Sequence, residues 1–266
     1  MNELVNDIGR GLDAYLRIGA QVKILGSERF SVPRIFLPPF RENGQARRSV
    51  VFLSGQHLEE TSGPQVLLNA TDFLPLVTPI LGAGIGIGIY PIVNQRGLSF
   101  SPDADPELLR HDVSGQEFNS GWRDNLSPPQ EEALVGEDLL QLHQSWPIIL
   151  IITLHEDYTE PQTGYMWINN LPPATRRRFR QRIDANWGKK HLLKRPERSI
   201  FFGGRIEGPL VVDAADDAWE NYFADQLDIP AVTIEAPFGL TEELRLRFQR
   251  QIIKSLLEVI GSGIWG

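Results

Sequence analysis

Apolar residues in this chain follow two patterns. Short unbroken runs such as VVFL at 50–53 and PIILIITL at 147–154 suit strands buried on both faces. Runs of this kind predict strands at 22–25, 34–37, 49–53, 85–90, 148–154 and 231–235. Other stretches repeat at helical spacing. Leu244, Phe248, Ile252 and Leu256 predict a helix over 241–260, with Thr241 and Glu242-Glu243 as a capping start. Leu4, Ile8, Leu12 and Leu16 predict an amphipathic helix at the amino end, and further helices are expected at 63–73, 129–144 and 215–226. The aromatic stretch Gly164-Tyr165-Met166-Trp167 falls where a loop is expected. Residues 170–208, rich in Arg, Lys, Pro and Gly, read as a long, partly mobile excursion able to cover a site. Strands alternating with helices predict an α/β fold. The expectation is one catalytic domain over 1–266, in three layers, with a mixed, mostly parallel twisted sheet and helices on both faces.

Composition narrows the function without choosing it. The 266 residues are 41% hydrophobic and 23% charged, ordinary values for a globular protein. There is no cysteine, so disulfides, thiolate metal sites and cysteine nucleophiles are excluded. A net charge of −8 argues against nucleic acid or an anionic membrane as partner. The basic stretch RRRFRQR at 176–182 runs the other way and is read as a solvated helix face. Glu3 and Asp7 stand where a signal peptide would be basic, and the longest apolar run, 146–154, is too short to span a bilayer. A cytoplasmic location is expected.

Candidate chemistry sits where strands end. In α/β sheets functional groups collect at the carboxyl ends of strands. His57 follows VVFLSGQ, His155 follows ILIITL, and Glu235 follows AVTI. His57 and Glu60 are three residues apart, so on one helical turn both can face one ion. Zinc accepts imidazole nitrogen and carboxylate oxygen, and its catalytic sites use three protein ligands. Of five histidines, His143 lies in a helical pattern and His191 in a basic loop, which leaves His155 as the best third donor. An isolated H-x-x-E pair also marks an ordinary surface helix start, and a lone strand-end histidine is often only hydrogen-bonded.

Taken in order, five stretches resemble the zinc carboxypeptidase family, which includes murein-peptide amidases, aspartoacylases and desuccinylases. GQHLEETSG at 55–63 is similar to the family's G-x-H-x-x-E-x-x-G, and YPIVNQRG at 90–97 to its P-x-x-N-P-D-G turn. RHDVSGQEFNS at 110–120 is similar to R-x-N-x-x-G-x-D-L-N-R. TLHEDY at 153–158 resembles the strand-end histidine motif, and TIEAP at 233–237 the motif of the general base. The resemblance implies one zinc ion on His57, Glu60 and His155, with Glu235 as general base and Arg110 stabilising an oxyanion. It implies that Asn119 contacts a substrate carboxylate, and that the substrate is a peptide or an N-acyl amino acid.

The departures concern the substrate end. Ser120 replaces an arginine that clamps the carboxylate, and a hydroxyl cannot make that bidentate pair. Arg123, Arg96 or Arg205 is the expected substitute. Glu117, Asp112 and Gln95-Arg96 also differ from the family pattern. Asp157 is expected to orient His155, and Tyr165 to line the cleft. The expected activity is a carboxypeptidase or peptide amidase. An N-acyl amino acid deacylase is the first alternative, and a catalytically silent binding protein on the same fold is the second.

Overall fold

The computed structural model describes residues 2–27, 30–40, 47–95, 109–111, 116–120, 122, 128–195, 199–213 and 218–262. The element order is α1 (Asn2–Arg17), β1 (Gln21–Ser27), β2 (Phe30–Leu37), β3 (Arg48–Ser54), α2 (Ser62–Leu68), α3 (Ala70–Gly82) and β4 (Ile85–Tyr90). There follow α4 (Gln130–Ser145), β5 (Ile148–Asp157), β6 (Tyr165–Asn169), α5 (Pro173–Asn186), β7 (Ile200–Phe201), β8 (Gly204–Glu207) and β9 (Leu210–Val212). The chain closes with α6 (Trp219–Leu227), β10 (Ala231–Pro237) and α7 (Glu242–Gly261).

All ten strands form one mixed sheet in the order β1-β2-β4-β3-β5-β10-β6-β9-β8-β7. Its centre, β4-β3-β5-β10, is parallel throughout. The flanking pairs β1–β2, β2–β4, β10–β6, β9–β8 and β8–β7 are antiparallel. The unbroken apolar runs follow from this, because both faces of the central strands are covered. On β3, Val50 and Phe52 join one core with α2, α3, α5 and α7, while Val51 and Leu53 join a second core with α4 and α6. No helix among the described residues is long and apolar enough to cross a membrane.

Three expectations need correction. The helix expected at 63–73 is two helices, broken at Asn69, whose φ of −79° and ψ of 83° are not helical. Its side chain accepts from the Asp72 N–H and so starts α3, which then runs on through Pro75 and Pro79. Residues 165–167 of the stretch expected to be a loop begin strand β6, hydrogen-bonded along β10. The described residues of 170–208 do not line the cleft at the ends of the central strands. Its helix α5 buries Thr175, Phe179 and Ile183 against the core and leaves Arg177, Arg178 and Arg182 exposed, with Arg176 and Arg180 half-buried. Arg176 makes a bidentate pair with Glu207, and Arg182 reaches Glu258. The basic run is thus a charged helix face, as read from the sequence. At α7, Thr241 is the N-cap residue but makes no side-chain capping bond.

Candidate metal centre

The three central strands β3, β5 and β10 lie side by side, and β5 and β10 run three residues past the end of β3. Ser54 is in register with Leu154, and Leu154 with Ile234. His155 and Glu235 occupy the next row. After Ser54 the chain turns at Gly55 in a left-handed conformation (φ +66°), where a Cβ would lie 3.0 Å from the Ile92 Cα. That turn leads to His57, and a local hydrogen bond from Glu60 N–H to His57 O (3.2 Å) folds the two side chains together. Gly63 then lets α2 lie close to the sheet, since a Cβ there would sit 3.0 Å from Leu154 and Ser54.

His57, Glu60 and His155 converge with ligating atoms within 4.8 Å of one another, and all three are buried. His57 Nδ1 lies 2.8 Å from Glu60 Oε1, and His155 Nδ1 lies 2.8 Å from Glu60 Oε2. The Glu156 N–H also donates to Glu60 Oε2 at 3.1 Å. Each imidazole turns its other nitrogen to an acceptor: His57 Nε2 to the Phe118 carbonyl at 3.2 Å, His155 Nε2 to Gln56 Oε1 at 3.1 Å. Both Nδ1 atoms therefore face the Glu60 carboxylate, the side from which each ring could ligate an ion. Two such nitrogens and a carboxylate fit a zinc-class divalent ion.

Burial and charge oppose each other here. Burial works to raise the Glu60 pKa, but the two imidazoles outweigh it and hold Glu60 well below the usual carboxylate range. Burial lowers the affinity of His155 for a proton, yet Glu60 more than compensates, pushing it up to about 10. Glu235 is pushed up to about 8, chiefly by burial, with His155 opposing and Glu60, Asp157 and Glu220 adding to the rise.

A cleft of ≈ 310 Å³ opens over these groups. His57, Glu60, His155, Glu235, Arg110 and Asn119 all border it, together with Glu117, Tyr158 and Thr159. Arg110 is tied to Glu59 (2.9 Å) and Glu117 (3.3 Å), with Nη2 3.4 Å from His57 Nε2. Asn119 stands in the left-handed region (φ 63°), and its Oδ1 accepts from Gln56 Nε2 and the Trp219 N–H.

The comparisons divide sharply between sequence and shape. No family model matches the sequence, and no curated protein resembles it significantly. Among solved structures, a metallo-carboxypeptidase from Pseudomonas aeruginosa, in complex with (2-guanidinoethylmercapto)succinic acid, matches with a TM-score of 0.64 at 16% identity, over 95% of this chain and 68% of that one. The fold is that of the metallo-carboxypeptidases. A provisionally assigned metallopeptidase from Shewanella denitrificans shares this carboxypeptidase fold more completely, with a TM-score of 0.68 at 18% identity over 95% of this chain and 89% of that one. A succinylglutamate desuccinylase/aspartoacylase from Rhodobacter sphaeroides matches with a TM-score of 0.51 at 16% identity, over 90% of this chain and 64% of that one.

Within this carboxypeptidase fold some expected residues lie elsewhere. Tyr165 does not border the cleft. It is buried against Trp167 and Phe201, with its hydroxyl donating to Asp157 Oδ2 at 3.0 Å. Asp157 in turn does not orient His155. It accepts from the Thr159 and Glu160 N–H groups and caps its own turn. Arg205 pairs with Glu207 and Asp213 away from the cleft. Arg123, Arg96 and Asp112 lie outside the described residues. Sequence reasoning missed Tyr158, which borders the cleft with its ring stacked 3.8 Å from Phe238, and it missed Gln56 and Glu132 beneath His155. Gln56 lies inside the His57 motif, but nothing in the sequence ties Glu132 to it.

Proposed function

We propose that this chain is a zinc-dependent hydrolase that cleaves an amide bond, with a peptide as its substrate. The observation that carries the reading is the placement of a half-buried carboxyl group, Glu235, one strand over from His155 in the same cleft. Bound zinc would be held by His57, Glu60 and His155 and would supply Lewis acidity and a water acidified towards pKa ~7. The chain's own residues do the rest. Glu235 would accept the proton of the attacking water on its carboxylate and deliver it to the leaving amine as the C–N bond breaks. A carboxyl group whose pKa lies near neutrality is suited to both transfers. Arg110, fixed at the rim by Glu59 and Glu117, offers a positive charge to the carbonyl oxygen as negative charge grows on it. Asn119 has its Oδ1 engaged, so its amide NH2 is the end that donates towards substrate.

An N-acyl amino acid as substrate is the second reading. Ser120 favours it: its hydroxyl donates to the Glu117 carbonyl, and Arg110 is the one lysine or arginine among the described residues bordering the cleft. A side-by-side assay of the zinc-loaded protein separates the two. Cleavage of a C-terminal or γ-D-glutamyl peptide supports the first, and cleavage of an N-acyl amino acid alone supports the second. Turnover of neither, matching Glu235→Gln on every substrate, would mean a silent binding protein.

A further inference from the structure

The Gln56 carboxamide lies between His155 and a buried carboxyl group, and its orientation is chemically fixed. Its Nε2 is 2.7 Å from Glu132 Oε1 and 3.2 Å from Asn119 Oδ1. Both are acceptors here, because Asn119 Oδ1 also receives the Trp219 N–H at 3.0 Å. The opposite amide orientation would set an oxygen against two oxygens. Gln56 Oε1 therefore faces His155 Nε2 at 3.1 Å. A carbonyl oxygen only accepts, so that nitrogen carries a hydrogen, and Nδ1, beside Glu60, is the one left to offer a lone pair to a metal.

Glu132 is fixed just as firmly. Three N–H donors surround its carboxyl group: Gln56 Nε2, the Asn119 backbone at 2.7 Å, and Trp122 Nε1 at 2.9 Å. Buried polar groups need partners wherever they are, so satisfaction alone would make this a structural cluster. What sets it apart is its end point. The donor-to-acceptor order is fixed along the whole chain of bonds, and it ends on the ring of a candidate metal ligand, at the nitrogen that faces away from the metal site.

We propose that Gln56 is a positioning residue for His155, oriented by Glu132 and Asn119, and that this chain of hydrogen bonds fixes which His155 nitrogen meets the metal. The proposal rests on the zinc reading above, deepens it, and separates from it experimentally. Supporting groups of this kind are worth ~10–100-fold in metal affinity.

Zinc is titrated into the full chain at pH 8 against a chromophoric chelator, for wild type, Gln56→Met and Glu132→Gln. Gln56→Met keeps the length of the side chain and removes the acceptor. Circular dichroism and urea unfolding of the metal-free forms report folding separately. The expected result is a zinc Kd raised ~10–100-fold in Gln56→Met, with a smaller rise in Glu132→Gln. In nitrogen-15 spectra of the zinc form, the exchange-protected His155 Nε2–H signal of wild type should be lost in Gln56→Met. A zinc Kd within about twofold of wild type in either folded variant overturns the proposal. So does an unchanged Nε2–H signal in Gln56→Met. Should Gln56→Met not fold, Glu132→Gln decides. Failure of wild type itself to bind zinc looks different and overturns the zinc reading along with this one.

Discussion

Glu235 and His155 are register partners on neighbouring parallel strands, so their side chains leave the same face of the sheet about 4.8 Å apart along the hydrogen-bonding direction. One belongs to the proposed metal site and the other does not, which lets their roles be separated. Glu235→Gln should leave zinc affinity unchanged and lower kcat by ~10²–10⁴-fold, the usual contribution of a positioned acid–base group. Kinetics together with a metal titration of the same sample test both halves. A large change in zinc Kd would place Glu235 among the ligands.

Removing a ligand should behave in the opposite way. Glu60 bridges the two imidazoles at 2.8 Å on each side. Glu60→Ala or His155→Ala is expected to weaken zinc by more than the ~10–100-fold typical of losing a supporting group. Metal content after gel filtration, measured by mass spectrometry, checks this. Retention of stoichiometric zinc would refute the three-ligand assignment.

Glu132 should leave a signature in stability. Burial, the main cause, pushes its pKa up to about 7 from 4.5, against the pull of its hydrogen bonds to Trp122 and Gln56. The folded state then holds a proton that the unfolded state has released. Stability from this group is full below pH 4.5 and is lost as pH rises through about 7. Relative to Glu132→Gln, wild type should lose about 3 kcal/mol between those limits. Urea unfolding at pH 4.5 and pH 8 gives the difference, and a flat difference would count against the raised pKa.

The sequence discloses α5 poorly, yet it is a core helix. Phe179 is fully buried between the sheet and α7. Phe179→Ala should cost about 3–5 kcal/mol in urea unfolding. A cost below about 1 kcal/mol would mean that α5 is peripheral.

That contrast shows what was legible and what was not. The central strands were visible because burial on both faces leaves no room for polar residues in them. In α5 the apolar stripe is only Phe179 and Ile183, four residues apart and flanked by arginines, so charge masked the period. Strands β7, β8 and β9 have two, four and three residues, too few to show alternation. The break at Asn69 lies within a largely apolar stretch and depends on a side-chain cap that spacing does not reveal. The candidate metal cluster was readable because His57 closely follows β3 and His155 lies near the end of the adjacent parallel strand β5. The group that orients His155 was not. Asp157 is near in sequence but spends its carboxylate on its own turn, while Glu132 comes from α4 by way of Gln56.

Glu60 and His155 meet across 95 residues of chain. An ion gripping both therefore closes a loop of that size, and in the unfolded chain such a closure costs on the order of 4 kcal/mol of entropy. The metal would then be a fastener as well as a reagent. Strand β4 and helix α4 lie inside the loop it shuts, and chelation should quicken amide exchange there before it does in α7, which lies outside.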